Sequence, residues 1–107
     1  MERYLPVEWV SENIIQDAFN SGQYWERVKA GELNSVVEKD RHPNPPPSGE
    51  PLCTRSQYVV YRTLISGEFV AGVHQYLRED RTLGASGKPD PKRLVFEGRI
   101  LAVRSKP

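Results

Sequence analysis

The chain has 107 residues, 37% of them hydrophobic, and a formal net charge of +1. That length suits one domain with a small core. No apolar run approaches the ~20 residues of a membrane span, and a single cysteine, Cys53, leaves no intrachain disulfide and no multi-cysteine zinc site. The opening Met-Glu-Arg-Tyr-Leu-Pro lacks the basic-then-apolar pattern of a secretory leader, so a cytoplasmic protein is expected. The net charge conceals an asymmetry. Residues 1–40 hold four Lys/Arg and eight Asp/Glu, whereas residues 41–107 hold eleven and six. A basic rear half suits an anionic partner; equally, the two halves can complement each other across a packing surface.

Residues 7–20 read as an amphipathic helix, with Val10, Ile14 and Ala18 at i, i+4 and i+8 and with Pro6 just ahead of it. Asn20-Ser21-Gly22 stops that helix, and Ser21 is placed to cap a second one carrying Tyr24, Trp25 and Val28 and ending at Gly31. Leu33 to Lys39 reads as either a third turn or a short strand. Residues 42–51 contain five prolines, which lock φ and remove five donors. Pro45-Pro46-Pro47 is expected as a stiff polyproline II spacer; a connector packed over a sheet fits its internal position better than a free SH3- or WW-type ligand.

Beyond the prolines the hydrophobic period becomes two. Gln57 to Ile65 reads as a strand, Ser66-Gly67 as a hairpin turn, and Phe69 to Arg78 as a second strand with Phe69, Ala71, Val73 and Leu77 inward. Leu94 to Phe96 and Arg99 to Val103 make a further hairpin about Glu97-Gly98. The expected architecture is α+β, with N-terminal helices on one face of a four-stranded antiparallel meander. Its segments would be helical (1–40), a proline-rich connector (41–56) and a sheet (57–107).

Alternation puts His74, Tyr76 and Arg78 on the open face, with Gly72 leaving room there for a ligand or another backbone. Imidazole titrates near neutrality and serves as general acid or base. After this strand comes Gly84-Ala85-Ser86-Gly87-Lys88, then Lys92 and Arg93: small residues whose amides could form an anion nest, beside three cations. The stretch lacks the spacing of a nucleoside-triphosphate loop, and Pro89 stands where a helix should begin. A carboxylate base at Glu50, a histidine acid at His74 and cations on the phosphate suffice for metal-independent transesterification of RNA. The candidate catalytic set is therefore His74, Glu50, Arg78 and Tyr76, and the candidate phosphate-binding set is Arg55, Ser86, Lys88, Lys92 and Arg93. His42 reads as a surface residue and Cys53 as a small buried one. No cofactor motif and no metal-ligand spacing is present, so neither is expected.

The run from Arg41 to Gln57 and the run from His74 to Arg93 resemble a group of small bacterial proteins of unassigned function, over residues 41–94. Separately, helices followed by an antiparallel meander with a histidine and cations on its open face are similar in architecture to the barnase/RelE-type ribonuclease toxins. The similarity implies a toxin-like ribonuclease with RNA as substrate and a cognate antitoxin as partner. The alternative is a non-catalytic protein (an antitoxin, an immunity protein or a phage-encoded inhibitor) docking on nucleic acid or an acidic protein.

Overall fold

The structure, a computed structural model, describes residues 4–104. Met1–Arg3, on which the leader expectation partly rests, lie outside the described residues. The architecture is α+β: two short helices and one six-stranded mixed sheet, in chain order β1 (Val7–Trp9), α1 (Glu12–Ser21), α2 (Tyr24–Lys29), β2 (Leu33–Arg41), β3 (Arg55–Thr63), β4 (Phe69–Leu77), β5 (Asp90–Phe96) and β6 (Arg99–Ala102). The sheet order is β1-β6-β5-β4-β3-β2. β1 lies parallel to β6, and the other neighbours are antiparallel.

The expected four-stranded antiparallel meander is not what forms: β3 to β6 are antiparallel neighbours inside a six-stranded mixed sheet that β1 and β2 extend at both edges, and the segment 1–40 is not purely helical. β1 is three residues long and exposed throughout, so it carries no alternation to read. It is held by backbone bonds at its ends, from Ile100 N to Pro6 O (2.9 Å) and from Val10 N to Ala102 O (2.9 Å). Helix α1 consequently starts at Glu12, where Ser11 caps it by accepting a hydrogen bond from Ile14 N. Ser21 remains inside α1 and caps nothing; Gln23, with φ 53°, leads into α2 instead, without a side-chain cap. β2 resolves the ambiguity at 33–39 in favour of a strand. As an edge strand it buries only Leu33, and Glu38 sits in a bulge where the register shifts, so no period-two signal survives.

The rear half follows its periodicity closely. Glu97 and Gly98 both have positive φ (50° and 78°), as a two-residue hairpin turn of the primed kind requires. The connection at Ser66-Gly67 is wider than two residues, running from Leu64 to Glu68, with Thr63 Oγ1 and Ser66 Oγ 2.6 Å apart. β5 begins at Asp90, earlier than expected, because Pro89 and Pro91 obscure it in sequence. Pro91, which has no N–H, is tolerated beside a shift of the β4–β5 register between Gly72 and Val73.

Both helices pack on one face. Ile15 and Phe19 of α1 meet Val59 and Tyr61 of β3, Ala71 and Val73 of β4, Leu94 of β5 and Leu101 of β6, all 2% exposed or less. Phe19 also stacks on Tyr24 of α2, ring centroids 5.8 Å apart. Burial of each large aliphatic or Phe side chain in this set contributes about 1.5–3 kcal/mol before chain entropy is counted, so this face anchors the fold. No helix among the described residues is long and apolar enough to cross a membrane.

Candidate functional site

The opposite face of β3, β4 and β5 bears the polar residues. Register pairs Tyr58 with His74 and His74 with Asp90, and it pairs Arg41 with Ser56 and Ser56 with Tyr76. Cross-strand partners share a face, so these six side chains form one continuous surface. His74 Nε2 lies 2.8 Å from Ser56 Oγ, and its ring meets that of Tyr76 edge-on, with centroids 4.7 Å apart. Partial burial holds the His74 pKa below its ordinary value; Lys92 pushes the same way and Asp90 opposes. At neutral pH the imidazole is thus neutral, the form that accepts a proton.

Gly72 does not leave an empty space. The Tyr58 phenol lies against it, where a Cβ would collide. The room that glycine creates is occupied by this chain's own aromatic ring, not by a ligand.

Glu50 and Arg78 stand together, and neither lines the cavity that His74 lines. β4 ends at Leu77, and the Arg78 Nε donates to Glu50 Oε1 at 2.9 Å while Ala85 N donates to Oε2 at 2.8 Å. The Glu50 side chain is only 6% exposed and rests on Gly84, whose missing Cβ makes space for the carboxylate. The Arg78 hydrogen bond first, then the Ala85 amide, hold its pKa below the ordinary value. A carboxylate so stabilised is a poor base. Glu50 therefore serves as a clamp between the proline-rich segment and the 84–88 loop.

The cations divide in the same way. Arg55 pairs with Leu77 in register, on the parity opposite Tyr76; its Nε lies 3.4 Å from Asp40 and it donates to His42 Nε2 through Nε (3.0 Å) and Nη2 (2.8 Å). Lys92 Nζ holds Asp90 at 2.9 Å. Arg55, Arg78 and Lys92 are thus engaged within the chain. Among the described residues the charged groups of Lys88, Arg93 and Arg41 carry no ion pair.

The expected amide nest at 84–87 is largely used by the fold itself. Gly84 N donates to Tyr76 O (2.8 Å), Ala85 N to Glu50, and Gly87 N to Gly84 O (3.0 Å). Ser86 Oγ donates to Lys88 O at 3.3 Å. Cys53 is exposed rather than buried, at φ 68°, and Glu79 raises its thiol pKa, which disfavours the reactive thiolate.

Two cavities open on this surface. The first, about 300 Å³, forms where the β4–β5 ladder stops at His74–Asp90 and the chain bows outward before returning to Tyr76 and Leu77. His74, Tyr76, Ser86, Lys88 and Asp90 line it, and Gln16 of α1 reaches it from the other side. The second, about 470 Å³, is walled by Arg41, His42, Pro43, Pro47, Ser56 and Tyr76. Tyr76 is common to both. His74, Tyr76, Ser86 and Lys88 of the expected set therefore converge, whereas Glu50, Arg78 and Arg55 do not line either cavity.

Sequence reasoning missed Ser56, Tyr58, Asp90 and Arg41. Starting β3 two residues earlier would have placed Ser56 beside Tyr58 at period two. Arg41 needed the knowledge that β2 is a strand. No family model matches the chain, and no curated protein or solved structure matches it.

Proposed function

We propose that the polar sheet face binds single-stranded RNA and that His74 acts there as the acid–base group of a metal-independent transesterification. The observation that carries this reading is the convergence, on one polar sheet face, of a neutral-leaning imidazole, two phenols and cations without an ion pair among the described residues. Aromatic rings on a sheet offer stacking surfaces for unpaired bases, and flanking cations attract phosphate. In the proposed reaction His74 accepts the 2′-hydroxyl proton. The 2′-oxygen attacks the adjacent phosphorus, and the P–O5′ bond breaks. Lys88 and the Ser86 hydroxyl face the developing phosphorane charge, and the protonated imidazole returns its proton to the departing 5′-oxygen. Glu50 takes no part in the proton transfers.

The engagement of Glu50 by Arg78 and Ala85 favours a second reading, binding without cleavage, in which the same face docks on RNA as a regulatory partner. Incubating the protein with end-labelled RNA, with and without chelator, separates the two. Chelator-resistant cleavage that His74→Ala abolishes, with its melting curve unchanged, is the expected result. Retained cleavage in the variant would remove His74 from the chemistry, and binding with no cleavage would favour the second reading.

A further inference from the structure

We infer that one nucleic-acid strand crosses the sheet at right angles to its strands, seating two consecutive phosphates in the two cavities on either side of Tyr76. This rests on the RNA-binding reading and adds the size and direction of the ligand. Each cavity has one cation with no ion pair among the described residues: Lys88 in the first, Arg41 in the second. Tyr76 lines both cavities, and beside it Ser56 of the second wall meets His74 of the first at 2.8 Å. Both volumes, about 300 and 470 Å³, lie in the range of small-ligand sites.

The register gives the direction. Arg41, Ser56 and Tyr76 lie opposite one another on β2, β3 and β4, and Gly84 bonds to the far side of Tyr76. Neighbouring strands are ~4.8 Å apart, so Arg41 and Tyr76 are separated by about 10 Å of backbone, a gap that the long arginine side chain shortens. A ligand touching both cations therefore lies across β2, β3 and β4, with a nucleoside on Tyr76. The smallest molecule that satisfies every feature is a nucleoside carrying phosphate on both its 3′ and 5′ oxygens.

The test compares adenosine 3′,5′-bisphosphate with 5′-AMP and 3′-AMP by calorimetry on the whole protein. The bisphosphate should bind at least tenfold tighter than either monophosphate. Arg41→Ala should remove that advantage for one monophosphate geometry and Lys88→Ala for the other; neither cation makes an ion pair that the fold would lose. A bisphosphate no tighter than the monophosphates overturns the two-phosphate arrangement, even if RNA is still bound or cleaved. Equal weakening of all three ligands by Arg41→Ala overturns it too. A preferred bisphosphate without RNA cleavage would support the arrangement while removing the ribonuclease chemistry.

Discussion

The two faces of the same three strands differ in what their side chains are committed to. On the helix side, Val59, Tyr61, Ala71, Val73 and Leu94 are all but fully buried under Ile15 and Phe19, and the half-buried Gln75 satisfies the buried Gln57 amide at 2.9 Å. One position along each strand, Tyr58, His74 and Tyr76 remain half-exposed. Burial without unpaired groups makes the first face a scaffold; polar groups left partly in water make the second a surface that can exchange partners. The contrast teaches that stability and chemistry here are interleaved at alternate residues and should separate cleanly by mutation.

Four perturbations test that separation, from the largest expected effect downward. Leu94→Ala removes a side chain with no exposed surface from the helix side and should cost about 2–5 kcal/mol. Its melting temperature should fall by roughly 8 °C or more. RNA affinity per folded molecule should be unchanged; a matching loss of affinity would mean that the two faces are not separable.

The clamp at Glu50 comes next. Its folded pKa is depressed by Arg78 and Ala85, so its stabilisation is present in full above the ordinary glutamate value of 4.5 and is lost as pH falls through the lower folded value. Melts of wild type and Glu50→Gln at pH 7 and pH 3 should therefore show a lead for the wild type that narrows in acid. An equal lead at both values would reduce Glu50 to a packing role.

The division among cations gives a third measurement. Arg41→Ala and Lys88→Ala should each lower the slope of log affinity for single-stranded RNA against log salt by about 0.7. Arg55→Ala, whose guanidinium is occupied by Asp40 and His42, should change the slope less. Equal slopes across the three variants would erase the distinction between engaged and free cations.

The smallest effect is a titration shift. His74 should titrate below 6.5 by NMR. Lys92→Ala should raise its midpoint, because a repelling charge is removed, and Asp90→Asn should lower it. Because burial depresses the folded value, the fold loses stability as pH falls through 6.5 toward the folded value, where the imidazole must be protonated. A midpoint at or above 6.5 would show an imidazole more solvated than the structure implies.

What could be read from the amino acids follows from how many strands bury one face and expose the other. β3 and β4 do so over nine residues each, and their alternation placed His74 and Tyr76 correctly. β1 and β2 are edge strands with almost no burial; solvent contact on both sides removes the alternation, so β1 was read as helix and β2 stayed ambiguous between a turn and a strand. The site was legible where it depended on parity and illegible where it depended on long-range pairing. Glu50 and Arg78 were identified as charged groups near the site, but nothing local shows that each neutralises the other across twenty-eight residues. Nor could the amides of 84–87, which looked free in sequence, be known to bond within the fold.

The parallel pairing of β1 with β6 has a kinetic consequence. Val7 lies opposite Ile100 and Trp9 opposite Ala102, so this edge joins segments far apart in the chain, whereas β2 through β6 each pair with the next strand in sequence. Closing so long a loop carries the largest entropic penalty of any contact in the sheet. The expected order of assembly runs from the hairpins outward, with β1 added once the strand it needs already exists. The same logic makes β1 the first strand to detach, peeling from the edge farthest from β2 while the surface bearing His74 and Tyr76 keeps its neighbours on both sides.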